Sequence, residues 1–314
     1  MNIQLLKATA DDAENLVSIQ KKAFKRLYDI YKDERSPYLK GIEEFFRWLN
    51  NSNIRIYKIH ADEMLCGGIA VFKMLDDEYY LARLYILPEL QRQGIASKAI
   101  KLCEAYFEGA KKWVLDFPAD QIANKRCYEK AGYVDTGIRE IKNEKLTLAV
   151  YEKVISGVYV IREVQLERCA AVIRKSFATV ANELMLTKQN CPNHTSFIEV
   201  EKLQNQFKRG CLMFGYFLDS EIIGFVSLTE NSETSFEMNN LSILPEFRHK
   251  GYGKELLDIC RLIVKELGGN KITIGIIEEN AKLKEWYTAY GFIHTGTRKF
   301  EHLPFTVGFM ELNV

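Results

Sequence analysis

The sequence predicts an α/β (α+β) protein built as two copies of one domain, and three observations carry that prediction. A chain of 314 residues, 47% apolar and 27% charged, is long and apolar enough for two separately cored domains. The same order of strand-like and helix-like segments occurs twice along it. The registers of the two copies agree as well: Gln91 to Arg248 spans 157 residues, and Tyr128 to Tyr287 spans 159. We read residues 1–154 and 155–314 as the two domains, joined near "VISGVYV", with Ser156 and Gly157 as the hinge.

Each copy opens with a short strand and an amphipathic helix, "IQLLKATADDAENLVSIQKKAF" in one and "YVIREVQLERCAAVIRKSF" in the other. Thr9 and Asp12 have the spacing of a capping box at the first helix start. A helical stretch follows that differs between copies: "LYDIYKDERSPYLKGIEEFFRWLN" against "ANELMLTKQNCPNHTSFIEVEKLQNQF". Two β-rich runs around a polar turn, "IRIYKIHADEMLCGGIAVFKM" and "LMFGYFLDSEIIGFVSL", then predict a hairpin in each. The next strand, "YYLARLYIL" or "FEMNNLSIL", ends at Pro88 or Pro245. A glycine loop and a helix come after it. One face of that helix carries Ile95, Ala99, Leu102, Cys103 and Tyr106 in the first copy. The second copy has Tyr252, Leu256, Cys260, Ile263 and Leu267 there. Another strand, "KKWVLDF" or "KITIGII", precedes a short helix that runs into "CYEKAGY" or "EWYTAYGF", and two strands close each copy.

Composition narrows the function classes. A net charge of +1 gives no whole-molecule field for nucleic acid or an anionic membrane, so any basic site is local. No apolar run approaches the ~20 residues that span a bilayer, and "MNIQLLKATADD" lacks a secretion-signal pattern. The seven cysteines are scattered and form no CxxC, which fits a reducing cytoplasm better than a disulfide framework. No His, Cys, Asp or Glu grouping has metal-ligand spacing, so no metal is expected. His194 and His302 read as surface or loop residues.

Both copies place a basic, glycine-bearing loop at the start of a helix: "QRQGIASKAI" from Gln91 and "RHKGYGKELL" from Arg248. The first turn of a helix has N–H groups with no partner inside the helix, lying along the positive end of its dipole. Gly251 and Gly253 remove side chains from their approach, which makes a cradle for phosphate. Arg248, His249, Lys250 and Lys254 add charge around it; the first copy has Gly94, Ala96, Arg92 and Lys98. A tight turn that binds nothing is the competing reading of either loop alone. A P-loop is excluded because GxxxxGK[ST] is absent, and a dinucleotide fingerprint because neither loop supplies the third glycine.

The pattern [Q/R]-x-x-G-x-[G/A], after a strand and opening a helix, resembles the acetyl-CoA loop of the GNAT superfamily of N-acetyltransferases. Gln91-Arg92-Gln93-Gly94-Ile95-Ala96 and Arg248-His249-Lys250-Gly251-Tyr252-Gly253 both fit it. Downstream, Asn280, Tyr287, Gly291 and Phe292 match the family's N-x-x-x-x-x-x-Y followed by G-F; the first copy keeps Tyr128, Gly132 and Tyr133 but has Gln121 in place of Asn. The resemblance covers nearly the whole chain as two tandem domains. It implies, for each, a mixed and mostly antiparallel sheet, splayed in the middle and flanked by helices, with acetyl-CoA as cosubstrate in the splay. It also implies that backbone amides of residues 248–254 hold the pyrophosphate, with Leu241 and Ile243, or Leu84 and Ile86, facing the thioester and pantetheine arm.

Acetyl transfer to an amine requires an unprotonated amine, a stabilised thioester oxyanion and a proton for the departing thiolate. By the resemblance, Tyr287 is the proton donor, with Tyr128 as its counterpart, and Glu237 acts on the amine. The alternatives are packing for the tyrosines and a solvated strand carboxylate for Glu237. The first copy has Tyr80 at the offset of Glu237, with Glu78 two residues earlier on the same strand face. We therefore expect an acetyl-CoA-dependent N-acetyltransferase acting by direct attack, with the C-terminal domain better fitted for catalysis and the N-terminal copy binding CoA while being slow, differently specific or architectural. The acceptor is a small-molecule or peptide amine, contacted through residues 25–50 and 178–200, and the protein is a monomer or homodimer. The alternative is a non-catalytic acetyl-CoA sensor or scaffold.

Overall fold

The computed structural model describes residues 1–314. They form two compact units, Met1–Ile155 and Ser156–Val314, each built on a 7-stranded sheet.

The first unit runs β1 (Ile3–Lys7), α1 (Ala13–Tyr31), α2 (Ile42–Leu49), β2 (Ile54–Ala61), β3 (Met64–Lys73), β4 (Glu78–Ile86), α3 (Ile95–Ala105), β5 (Lys112–Pro118), α4 (Ile122–Lys130), β6 (Val134–Asn143) and β7 (Leu146–Val154). The second runs β8 (Gly157–Val160), α5 (Leu166–Glu183), α6 (Val200–Lys208), β9 (Leu212–Leu218), β10 (Glu221–Ser232), β11 (Ser235–Ile243), α7 (Tyr252–Glu266), β12 (Lys271–Ile277), α8 (Ala281–Tyr290), β13 (Ile293–Lys299) and β14 (Thr306–Asn313). The sheet orders are β1-β2-β3-β4-β5-β7-β6 and β8-β9-β10-β11-β12-β14-β13, the same topology twice. Every pairing is antiparallel except β4 with β5 and β11 with β12, so both sheets are mixed and mostly antiparallel.

Local signals set the elements. The Asp12 carboxylate accepts from the Thr9 N–H at 2.8 Å and the Thr9 hydroxyl at 3.0 Å, the box that the spacing predicts. It takes the Lys58 ammonium as well, at 2.8 Å. β3 is buried nearly throughout because helices cover both faces of its sheet. On one face α3 and α4 pack Ile95, Ala99, Ile100, Cys103 and Tyr128 against the sheet; on the other, α1 and α2 pack Leu16 and Phe45 over Ile56 and Ala70. In the second unit α7 and α8 contribute Leu256, Leu257, Cys260, Val264 and Tyr287 to one core.

Some expectations change. Leu267 and Tyr106 are exposed, because their helices end one residue earlier and each sits at the C-cap. The Tyr106 hydroxyl reaches the Leu5 carbonyl at 3.1 Å instead. His194 is buried rather than at the surface: it caps a short turn, with Nδ1 2.8 Å from the Ser196 Oγ. Burial pushes its pKa down. The stretch before α6 is largely non-helical, consistent with the turn-forming "NCPNH" in it. Gly157, expected at a hinge, is the first residue of β8 and pairs with Phe217.

Candidate functional site

The same opening is built in both units. β4 and β5 pair at only three positions, Glu78 with Lys112 through Tyr80 with Val114, and then part. β11 and β12 do the same, from Ser235 with Lys271 to Glu237 with Thr273. A register shift in the ladder to the neighbouring strand accompanies each parting, with Asn240 in a left-handed conformation (φ 57°) in the second unit. Beyond the parting, the Leu244 N–H bonds the Ile223 carbonyl at 2.9 Å across to β10. Peptide groups alternate sides along a strand, so those of Ile243 and Leu241 face the gap. In the first unit Leu87 bonds the Cys66 carbonyl at 2.8 Å, which turns Ile86 and Leu84 to the gap.

The glycine loops sit at the mouth of this gap. Gly94 (φ 80°) and Gly251 (φ 92°) are the N-caps of α3 and α7, both left-handed. A Cβ at either would meet no atom of the protein, so the space over each cap is open for a ligand. Arg92 and His249 are also left-handed, at φ 62°, which curls the loop so that successive amides face one way. The Arg248 N–H is already bonded to the Pro245 carbonyl at 3.3 Å and that of Lys254 to the Gly251 carbonyl at 2.9 Å. The amides free to receive an anion are therefore those of residues 249–253, fewer than the sequence suggests.

The basic side chains largely point elsewhere. Arg248 is half-buried and donates to the Ile243 carbonyl (3.1 Å), the Thr179 hydroxyl (3.1 Å) and the Ser176 carbonyl (2.7 Å), so it braces the loop on α5. Gln91 in the first unit reaches only the Ile86 carbonyl, at 3.0 Å, and Gln93 the Glu89 carbonyl at 3.3 Å. Lys254 pairs with Asp258 at 2.8 Å, and Lys250 lies over the Phe247 ring at 5.3 Å. Ile95 is fully buried, Ala96 packs beside it, and Tyr252 packs at a tilt on Tyr216 with centroids 4.5 Å apart. A Cβ on Gly253 would rest 3.5 Å from the Trp286 ring, an ordinary contact that an alanine tolerates. The Asn280 side chain caps α8, accepting from the Leu283 N–H at 3.2 Å, whereas Gln121 turns to the Tyr31 hydroxyl at 2.6 Å.

Tyr287 and Tyr128 are buried, their rings packed on Phe292 (5.2 Å) and Phe117 (5.2 Å). Burial, with Cys260 near one and Cys127 and Asp116 near the other, pushes both phenols well above their ordinary value. Each stays protonated at neutral pH and can donate. Phe236 and Met238 belong to the α7–α8 core with Tyr287, so Glu237 faces the other side of the sheet, half-exposed.

Two polar groups stand at the opening of the first unit, and of their members the sequence pointed only to Tyr80. Tyr79 and Leu81 on β4, and Trp113, Leu115 and Phe117 on β5, join the α3–α4 core. Tyr80 and Asp116 therefore share the α1–α2 face, and the Tyr80 hydroxyl donates to the Asp116 Oδ2 at 2.5 Å across the opening. The strand registers match Lys112 to Lys271 and so set Asp116 against Gly275, whereas the two segments aligned end to end set it against Ile276, which hid the difference. Nearby, Arg83 bonds Glu44 and Gln20, both at 2.9 Å, under the Trp48 ring.

The family model for the acetyltransferase (GNAT) family matches residues 22–133 and again 177–292. Over 165 residues the chain is 27% identical to an uncharacterised N-acetyltransferase from Lactobacillus delbrueckii subsp. lactis, covering 48% of this chain and 90% of that protein. Over 82 residues it is 24% identical to an uncharacterised N-acetyltransferase of Mycobacterium bovis, 26% of this chain and 53% of the other. Among solved structures it is similar to the PaiA N-acetyltransferase of Thermoplasma acidophilum in complex with coenzyme A, with TM-score 0.39 and 21% identity over 49% of this chain and 99% of that one. It is similar also to the spermidine N-acetyltransferase of Vibrio cholerae in complex with CoA and spermine, with TM-score 0.42 and 14% identity over 48% and 95%.

Proposed function

The chain belongs to the acetyltransferase (GNAT) family, and from that premise we propose that it is an acetyl-CoA-dependent N-acetyltransferase whose C-terminal domain carries out the transfer. One observation carries the proposal: an open, glycine-capped helix start beside parted strands, with Tyr287 and Glu237 on opposite faces of the sheet at that gap. Amides of residues 249–253 hold the pyrophosphate, and the peptide groups of Leu241 and Ile243 pair with the pantetheine arm. The acceptor amine, a small molecule or a peptide, enters from the face of Glu237, which takes its proton directly or through water. The nitrogen lone pair attacks the thioester carbonyl carbon, and the C–S electron pair leaves on sulfur. Tyr287 gives that sulfur a proton from the opposite side.

The test is release of free thiol from acetyl-CoA in the presence of amines. It is made on a chain whose first loop is blocked by Gly94→Val, so that only the second site reports. Tyr287→Phe is expected to lower turnover about 100-fold, within the usual contribution of a general acid, with CoA affinity by calorimetry unchanged. An unchanged rate removes Tyr287 from the reaction. CoA binding with no thiol release above the hydrolysis blank identifies a sensor instead.

A further inference from the structure

The first unit lacks a counterpart of Glu237: Tyr80 stands at that place in β4. A carboxylate is nonetheless present at the gap, supplied by the other strand. Asp116 is two residues beyond the last β4–β5 pair, Tyr80 with Val114, so it lies where the strands begin to part. It faces the α1–α2 side, as Glu237 faces the side away from α7 and α8 in the second unit. Its Oδ2 accepts from the Tyr80 hydroxyl at 2.5 Å, while Oδ1 has no donor within the chain. Tyr128, the counterpart of Tyr287, is in the core on the opposite face, its ring packed at 5.2 Å on Phe117, the residue after Asp116. The second unit cannot make this pair, because by strand register Gly275 occupies the place of Asp116.

We infer that the N-terminal domain holds a second acetyl-transfer centre, with Asp116 as the base toward the acceptor amine, Tyr80 as the residue that positions it, and Tyr128 as the acid toward the leaving thiol. This rests on the acetyl-CoA reading above and adds a second, differently built site to it. The step balances. Asp116 accepts one proton from the ammonium and passes it to water; the freed lone pair forms the C–N bond as the C–S bond breaks, and the nitrogen then loses a second proton to solvent. The sulfur takes the Tyr128 proton, and solvent restores the phenol. An ammonium and acetyl-CoA give an N-acetyl amine, CoA thiol and one proton released to water.

Burial pushes the Asp116 carboxyl above the ordinary carboxylate range, against the Tyr80 hydrogen bond, which favours the charged form. Glu140 on β6 raises it further and Lys142 on the same strand opposes that; Tyr80 on β4 and Tyr128 on α4 are the other titratable groups coupled to it. A base must be deprotonated to act, so the rate of this centre rises as pH climbs through that elevated value.

The experiment uses the full chain carrying Gly251→Val, which leaves only the first loop for CoA, and follows thiol release with two small amines. Propylamine is almost wholly protonated at neutral pH and needs a base; aminoacetonitrile is largely neutral and does not. Asp116→Asn is expected to lower the propylamine rate about 100-fold, to lower the aminoacetonitrile rate far less, and to abolish the acidic limb of the pH profile, with CoA affinity unchanged. Equal losses with both amines mark Asp116 as merely structural and overturn the inference. So does an undiminished propylamine rate, or CoA bound at the first loop without thiol release from either amine. Should Asp116→Asn lose CoA binding, Tyr80→Phe decides: a shifted acidic limb supports the inference and an unmoved one overturns it. Failure of the unmodified chain to bind CoA at all is a distinct result, which removes the acetyl-CoA reading itself.

Discussion

At the scale of single residues, the two glycines of the second loop have different jobs. Gly251 is left-handed at φ 92°, and a side chain there would project into open space over the helix start. Gly251→Val therefore strains the backbone by about 1–2 kcal/mol and fills the cradle. Calorimetry is expected to show CoA binding at that loop lost or weakened by about two orders of magnitude, the scale of ~3 kcal/mol. Gly253 is in ordinary helical geometry, and a Cβ there would rest 3.5 Å from Trp286 and 3.7 Å from Ile243. Gly253→Ala should keep CoA affinity and raise thermal stability by up to about 1 kcal/mol through helix propensity. The first copy already has Ala96 at the matching position. Equal losses of affinity in the two variants would contradict this division.

At the scale of elements, the loops are braced differently in the two domains. Arg248 ties the second loop to α5 through Ser176 and Thr179, and Lys175 adds an ion pair to Glu246 at 2.6 Å. The guanidinium is half-buried and burial pushes its pKa down, so its hydrogen bonds must compensate for lost hydration. Gln91 makes only the bond to the preceding strand. Arg248→Gln should keep that one bond and lose those to α5, lowering unfolding free energy in urea by about 2 kcal/mol, typical of charge-assisted hydrogen bonds. A change within error would mean that water replaces the brace. Parting of the strands works at the same scale: three paired residues lock β11 to β12, and beyond them the Leu241 and Ile243 N–H groups face the gap while Arg248 takes the Ile243 carbonyl.

At the scale of the whole molecule, one topology occurs twice, in Met1–Ile155 and Ser156–Val314, and each unit has an open cap over its glycine loop. Calorimetry on the intact chain should count two CoA per chain, and one in either Gly94→Val or Gly251→Val; a count of one in the unmodified chain would retire one of the cradles. The sequence by itself determined the duplication, the order of elements, the Thr9–Asp12 box and the two loops, because these are written in spacings of a few residues or in a repeated register. Only the tertiary structure decided that Tyr80 meets Asp116 from 36 residues away, that Arg248 turns to Ser176 across 72, and that His194 is buried. Which strand borders which, and where a parallel pair comes apart, depends on packing between distant segments. Periodicity within one segment assigns a side chain to a face, but the partner on that face comes from elsewhere in the chain.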